Sequence, residues 1–180
     1  MGIRGLTSLL NKHAPDCVTN VTFGSLATKV VAIDSSILLY KYCHVSKDFE
    51  HAPLMGFMNR TLNYLGNGIL PVYVFDGKPP DEKSHILTER REAKRKVYQK
   101  IEDLEKEHET EGGEWRLERI KELRNQITKV TMEQKNDVQA MLRLLGIPVV
   151  DSPGDAEKTC AHLQTLGVVD YTMTDDTDAF

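Results

Sequence analysis

Val30-Val31-Ala32-Ile33-Asp34 and Pro71-Val72-Tyr73-Val74-Phe75-Asp76 are the two stretches that decide the fold. Each is a short apolar run, rich in β-branched and aromatic residues, that ends on an aspartate, the pattern of a strand buried in a sheet. Between them, Ser35 or Ser36 can cap a helix reaching about His44. Residues 54–65 then place Leu54, Met55, Met58, Leu62 and Leu65 on one side of a second helix, which Asn67-Gly68 stops. Strands are therefore predicted over 28–34 and 69–75, with helical sequence between and the turn Asp76-Gly77-Lys78-Pro79-Pro80 after the second.

Working outward, residues 83–106 read as a highly charged helix with the thin apolar stripe Ala93, Val97, Ile101 and Leu104, broken at Gly112-Gly113. A second charged helix carries Ile120, Leu123, Ile127 and Val130 at helical spacing, so 81–130 predicts a helical hairpin inserted between two sheet strands. A helix over 131–145, a strand over 147–150, a helix over 155–166 and a strand over 168–174 follow. Such alternation predicts one α/β domain across residues 1–180, a mostly parallel sheet flanked by helices. The chain stops at Phe180, a few residues after a strand, and reads as cut within its domain.

The 180 residues suffice for a single core, with 40% apolar and 28% charged residues. No stretch approaches the roughly 20 apolar residues of a membrane helix. The N-terminus lacks the pattern of a secretory signal, and Leu6 stands where myristoylation after Gly2 would want Ser or Thr. Cys17, Cys43 and Cys160 have no paired spacing, which points to a reduced, intracellular setting with neither zinc nor a redox motif. The formal net charge of -4 does not suggest a nucleic-acid binder, but it sums two opposed concentrations of charge.

The acidic concentration lies at the strand ends. Asp34 and Asp76 close their runs, Ile147-Pro148-Val149-Val150-Asp151 leads to Asp155 and Glu157, and Val168 to Thr174 leads to Asp175, Asp176 and Asp178. In an open parallel sheet ligands bind outside the carboxyl ends of the strands, where these acids could converge. Asp176 and Asp178, two apart in extended chain, point the same way, and Asp175 points away. Local roles compete: Asp34 and Asp76 also suit a helix cap or a turn, and Ser152-Pro153 with Asp155 three residues after the serine also reads as an ordinary helix start. Six carboxylates without clustered His or Cys favour Mg²⁺ or Mn²⁺, and so many acids suggest two ions of the kind that cleave phosphodiesters.

The basic concentration is Lys83, Arg90, Arg91, Lys94, Arg95, Lys96 and Lys100, set against Glu89 and Glu92. It suits an ordinary solvated face or, beside an acidic pocket, a surface that draws in a polyanion the carboxylates would otherwise repel.

MGIRGL at the start, VVAIDSS with Tyr40 after it, PVYVFDGKPP, GIPVVDSPGDAEKTCA and TDDTDAF together resemble, in order and spacing, the flap endonuclease branch of the XPG structure-specific 5' nucleases. The resemblance covers essentially the whole chain. It implies a PIN-like nuclease fold and a hydrolase that cuts branched DNA at the base of a 5' flap in replication or repair, as endonuclease or 5'-3' exonuclease. By position it makes Asp34, Asp76, Asp155, Glu157, Asp176 and Asp178 the carboxylates of two Mg²⁺ ions, with Mn²⁺ as a substitute. Lys83 and Arg90 look like the catalytic basic pair at the base of the family's helical arch, which 81–130 would form. Gly2, Tyr40, Arg91 and Lys94 would contact DNA, Tyr40 by stacking on a base, with a tyrosine packed in the core as its alternative. The implied setting is the nucleus, or the host nucleus for a viral protein, with a monomer, no membrane, and a sliding clamp as a partner for a tail beyond Phe180.

Two departures stand out. Asp155 occupies a place where the family usually has Glu, so its carboxylate is one methylene short. The family's seventh carboxylate and its duplex clamp would lie beyond this chain. A non-catalytic DNA-binding relic and a Mg²⁺-dependent phosphatase are the alternatives.

Overall fold

The computed structural model describes residues 5–45, 51–77, 84–126 and 130–175. Its elements run α1 (Leu6–His13), β1 (Val30–Asp34), α2 (Ser35–Val45), α3 (Ala52–Gly66), β2 (Leu70–Phe75), α4 (Ser84–Glu111), α5 (Glu114–Gln126), α6 (Met132–Leu144), β3 (Val149–Asp151), α7 (Ala156–Thr165) and β4 (Tyr171–Met173), with short 3-10 turns at Pro15–Cys17 and Phe23–Leu26. The α/β class expected from the sequence is what the chain adopts.

All strand pairs are parallel, in the order β3-β2-β1-β4, with Asp34 opposite Val74 and Phe75 opposite Asp151. From β1 the chain builds outward through β2 to β3 and then returns to the other side of β1 for β4. The reversal places a topological switch point at the carboxyl ends of β1 and β4. Alternation along the strands divides the core. Val31, Ile33, Tyr73 and Phe75 pack with Leu38, Leu39, Phe57, Tyr64, Val138 and Leu142 from α2, α3 and α6. Ala32 and Val74 face the other way, against Ala156 and Cys160 of α7. Asp34 and Asp76 continue the second row, so the same alternation sends both acids to the α7 side.

Several boundaries differ from those predicted. α1 was not anticipated: it buries none of its residues, and the sequence reading followed buried faces. α4 extends to Glu111, because it ends only where Gly112 and Gly113 take positive φ values of 68° and 103°. β4 starts late, at Tyr171, because the Val168 and Val169 N–H groups turn back to the Leu163 carbonyl. α4 and α5 pack on each other through Ile101, Ile120 and Leu123, with Val97 and Leu104 at the margin, in a cluster separate from both sheet faces. Val130, expected on that stripe, is exposed, and Ile127 lies outside the described residues.

Phe57 is the centre of the larger core, edge-on to Tyr42 and Tyr73 and stacked on Phe75 at 6.0 Å between centroids. Phe57→Ala is expected to cost about 3–5 kcal/mol, measured by urea denaturation. The Tyr73 hydroxyl is paired with Thr61 Oγ1 at 2.9 Å, and burial pushes its pKa up to about 12. The folded state therefore holds this proton longer than the unfolded chain does. The associated stability is complete below about pH 10 and is lost as pH rises from about 10 towards 12. Thermal denaturation over that range is expected to show the decline, with a shallower slope for Tyr73→Phe.

Candidate active site

The site is assembled where β1, β2 and the loop entering α7 meet. Asp34 is 5% exposed at the end of β1, and the Ser36 N–H donates to its Oδ1 at 3.1 Å, so one of its oxygens does cap α2. Ser36 also reaches the next strand, its Oγ accepting the Asp76 N–H at 3.1 Å. The Asp76 carboxylate reaches across the sheet edge. Its Oδ1 accepts the Ala156 N–H, 80 residues away, at 2.8 Å, and so caps α7 from a different strand.

Close packing enforces this arrangement. The Gly77 N–H donates to the Gly154 carbonyl at 2.9 Å, and a Cβ on Gly77 would lie 1.8 Å from the Ser152 carbonyl oxygen. No other residue fits without moving the loop. The alternative helix start at Ser152 is not adopted: α7 begins at Ala156, as the predicted helix over 155–166 implies, and its first N–H is taken by Asp76. Ser152 instead braces the loop, donating to the Asp155 carbonyl at 3.0 Å and accepting the Gly154 N–H at 3.1 Å. Asp155 occupies the cap position in extended conformation, and its side chain makes no capping bond to the helix. Lys158 lies 3.8 Å from its Oδ2. Glu157 sits in the first turn of α7, two residues after that cap position.

The electrostatics register the convergence. The thiol of Cys160, one helical turn into α7, is pushed up to about 12, first by burial and then by the negative charges of Asp34, Glu157 and Asp76. Those three carboxylates thus share one neighbourhood. Among the described residues, no three Asp, Glu, His or Cys side chains are grouped so as to hold a metal ion directly. The donor set is nevertheless all oxygen and the local charge is negative, which fits a hard cation that keeps several of its waters and is reached through them.

Asp175 pairs with Lys41 at 2.6 Å and, with Asp34, Arg60 and Met173, borders a small cavity at the switch point. The acid that ends β3, Asp151, is turned to α6, where Gln139 donates at 2.7 Å and Arg143 at 3.2 Å. Tyr40 is 47% exposed and stacked on His44, which removes its core alternative. Lys94 is on the exposed surface of α4; Arg90 and Arg91 also belong to α4, but their side chains lie outside the described residues. Gly2, Lys83, Asp176 and Asp178 lie wholly outside them. The reading of the sequence missed the bridging role of Ser36 and the close approach of Gly77; only the Asp-Gly turn signal hinted at the second.

Residues 1–97 match the family described as the XPG N-terminal domain and residues 146–180 the XPG I-region. Flap endonuclease 1 of Plasmodium knowlesi (strain H) is 36% identical over 191 residues, covering 99% of this chain and 31% of that protein. Flap endonuclease 1 of Caenorhabditis elegans is 36% identical over 189 residues, covering 99% and 48%. Among solved structures, the catalytic core of Rad2 in complex with DNA substrate superimposes with a TM-score of 0.71 at 28% identity, covering 99% of this chain and 46% of that one. The chain thus spans less than half the length of these relatives.

Gly77→Ala is expected to destabilise the protein by about 1–3 kcal/mol, because the methyl group forces β2 away from the loop before α7. A melting temperature matching the wild type would show that the loop yields without cost.

Proposed function

The chain belongs to the XPG nuclease family, and from that premise we propose that it supplies the catalytic half of a structure-specific 5' nuclease that hydrolyses phosphodiesters at the base of 5' flaps. The observation that carries this reading is the meeting of the ends of β1 and β2 with the first turn of α7, bridged by Ser36 and by the Asp76 carboxylate on the Ala156 N–H. Asp34, Asp76, Asp155 and Glu157, with Asp176 and Asp178, hold hydrated Mg²⁺, or Mn²⁺ in its place. Bound there as a pair, these ions supply an activated water and stabilise the leaving oxygen. Asp155, one methylene shorter than Glu, acts through water.

The remaining work falls to the chain's own cations and aromatics. Exposed Arg95, Lys96 and Lys100 on α4, with Lys94, draw the phosphate backbone towards carboxylates that would otherwise repel it. Lys83 and Arg90, near the start of that helix, hold the scissile phosphate, while Arg91 and Gly2 take neighbouring phosphates. Tyr40, exposed on α2, stacks on a base beside the cut. Residues 81–130 form the arch that receives the single-stranded flap. Substrates of this class occur in replication and repair, which supports a nuclear setting, or the host nucleus for a viral protein, with the protein acting as a monomer on DNA and a sliding clamp as a further partner.

The test is cleavage of a labelled 5'-flap duplex by a protein containing this chain, with Mg²⁺ against chelator. Asp76→Ala or Glu157→Ala is expected to lower the single-turnover rate about a hundredfold or more. Cleavage that survives both would overturn the assignment, and flap binding without turnover at any Mg²⁺ or Mn²⁺ concentration would make the protein a DNA-binding relic. Lys83→Ala and Arg90→Ala are expected to lower the rate about a hundredfold while duplex affinity changes only a few-fold. Equal losses in both would make them simple backbone contacts.

A further inference from the structure

Lys135 has a placement that the sequence did not single out. It lies in the first turns of α6, whose start is locked by a reciprocal cap: the Gln134 N–H donates to Thr131 Oγ1 at 3.1 Å and the Thr131 N–H to Gln134 Oε1 at 3.0 Å. From there its side chain crosses the ends of β2 and β3, passing the Phe75 ring with Nζ 5.8 Å from the centroid. Nζ donates to the Asp76 carbonyl at 2.8 Å and lies 3.6 Å from Asp151 Oδ1. The side chain is only 19% exposed, unusual for an ammonium group unless a partner holds it. Asp151 is already engaged by Gln139 and Arg143, so the Asp76 carbonyl is the shorter and more specific of its contacts.

That carbonyl matters because of where the ladder stops. The Ser152 N–H takes the Phe75 carbonyl at 2.9 Å, which makes the Asp76 carbonyl the first one beyond the sheet. It belongs to the same peptide unit as the Gly77 N–H, which donates to the Gly154 carbonyl. Lys135 thus clamps one end of this unit and the loop before α7 clamps the other. With the peptide plane fixed at both ends, the Asp76 side chain has few ways to leave the Ala156 N–H. The chain order adds a second consequence. Asp76-Gly77 precedes the segment holding α4 and α5, and α6 follows it, so Lys135 ties together the two roots of the helical hairpin.

We infer that Lys135 is a positioning residue, which locks the Asp76–Gly77 peptide and so couples the roots of the hairpin to the direction of the Asp76 carboxylate. The inference rests on the reading of Asp76 as a carboxylate of the active site, and two measurements keep them apart. In the chain itself, amide hydrogen exchange followed by NMR reads the two bonds directly. Lys135→Met is expected to speed exchange of the Gly77 and Ala156 amides about tenfold, leaving Ile33 and Val74 unchanged, and Lys135→Arg to restore protection. Rates for Gly77 and Ala156 within about twofold of wild type would overturn the inference. In a nuclease containing this chain, Lys135→Met is expected to lower single-turnover flap cleavage about tenfold, with flap affinity in chelator within about twofold and partial rescue by Lys135→Arg. A parallel loss of affinity would make Lys135 a phosphate contact and overturn it as well. A wild-type protein that does not cleave counts against the proposed nuclease, and the exchange rates still decide the role of Lys135.

Discussion

The carboxyl edge of the sheet depends on one close approach, that of Gly77 to the Ser152 carbonyl. Only a residue without a Cβ lets β2 run so near the loop before α7. From that approach follow the Gly77 bond to Gly154 and the Asp76 bond to the Ala156 N–H, which together turn α7 so that its N-terminus faces the strand ends. The helix end provides unpaired N–H groups and a partial positive charge, and a carboxylate from another strand satisfies one of them. A bond of this kind orients Asp76 and α7 at once, so neither is set independently of the other.

The cost of the arrangement is concentrated negative charge. Asp34 is buried, and its charge, with those of Glu157 and Asp76, adds to the burial that already makes the Cys160 thiol hard to ionise. A pocket in that state attracts cations and repels the phosphate backbone on which an XPG-family nuclease acts. In the proposed reading that repulsion is offset by exposed cations of α4, among them Arg95, Lys96 and Lys100, on a helix that packs against α5 through an apolar cluster separate from both sheet faces. Keeping the two charges on separate structural units allows both to persist: adjacent, they would pair and cancel.

Much of this was legible in the chain. The runs ending at Asp34 and Asp76 read as buried strands because β-branched and aromatic residues crowd them, and the glycines at 68, 112 and 146 marked the ends of helices by their φ freedom. The direction in which Asp34 and Asp76 point was also implicit, since alternation along a strand is a local property. The part played by Asp155 was not. A serine, a proline and an acid at the right spacing read equally well as a helix start, and what displaced that start was a carboxylate 80 residues away. Tyr40 was ambiguous for a similar reason, as exposure depends on what the rest of the fold brings beside it.

The sequence by itself determined the α/β class, the alternation that sends two acids to the α7 side, the separation of acidic and basic segments, and the resemblance to flap endonucleases. These rest on local periodicity and on motif order, which survive without knowledge of distant contacts. The tertiary structure alone decided which acids share a neighbourhood, that Asp151 is held by α6 while Asp76 caps α7, and that Lys135 joins the two roots of the hairpin. Each of those is a contact between residues far apart in the chain. Such contacts exist only once the strands have paired and the helices have docked, so no spacing within the sequence could have announced them.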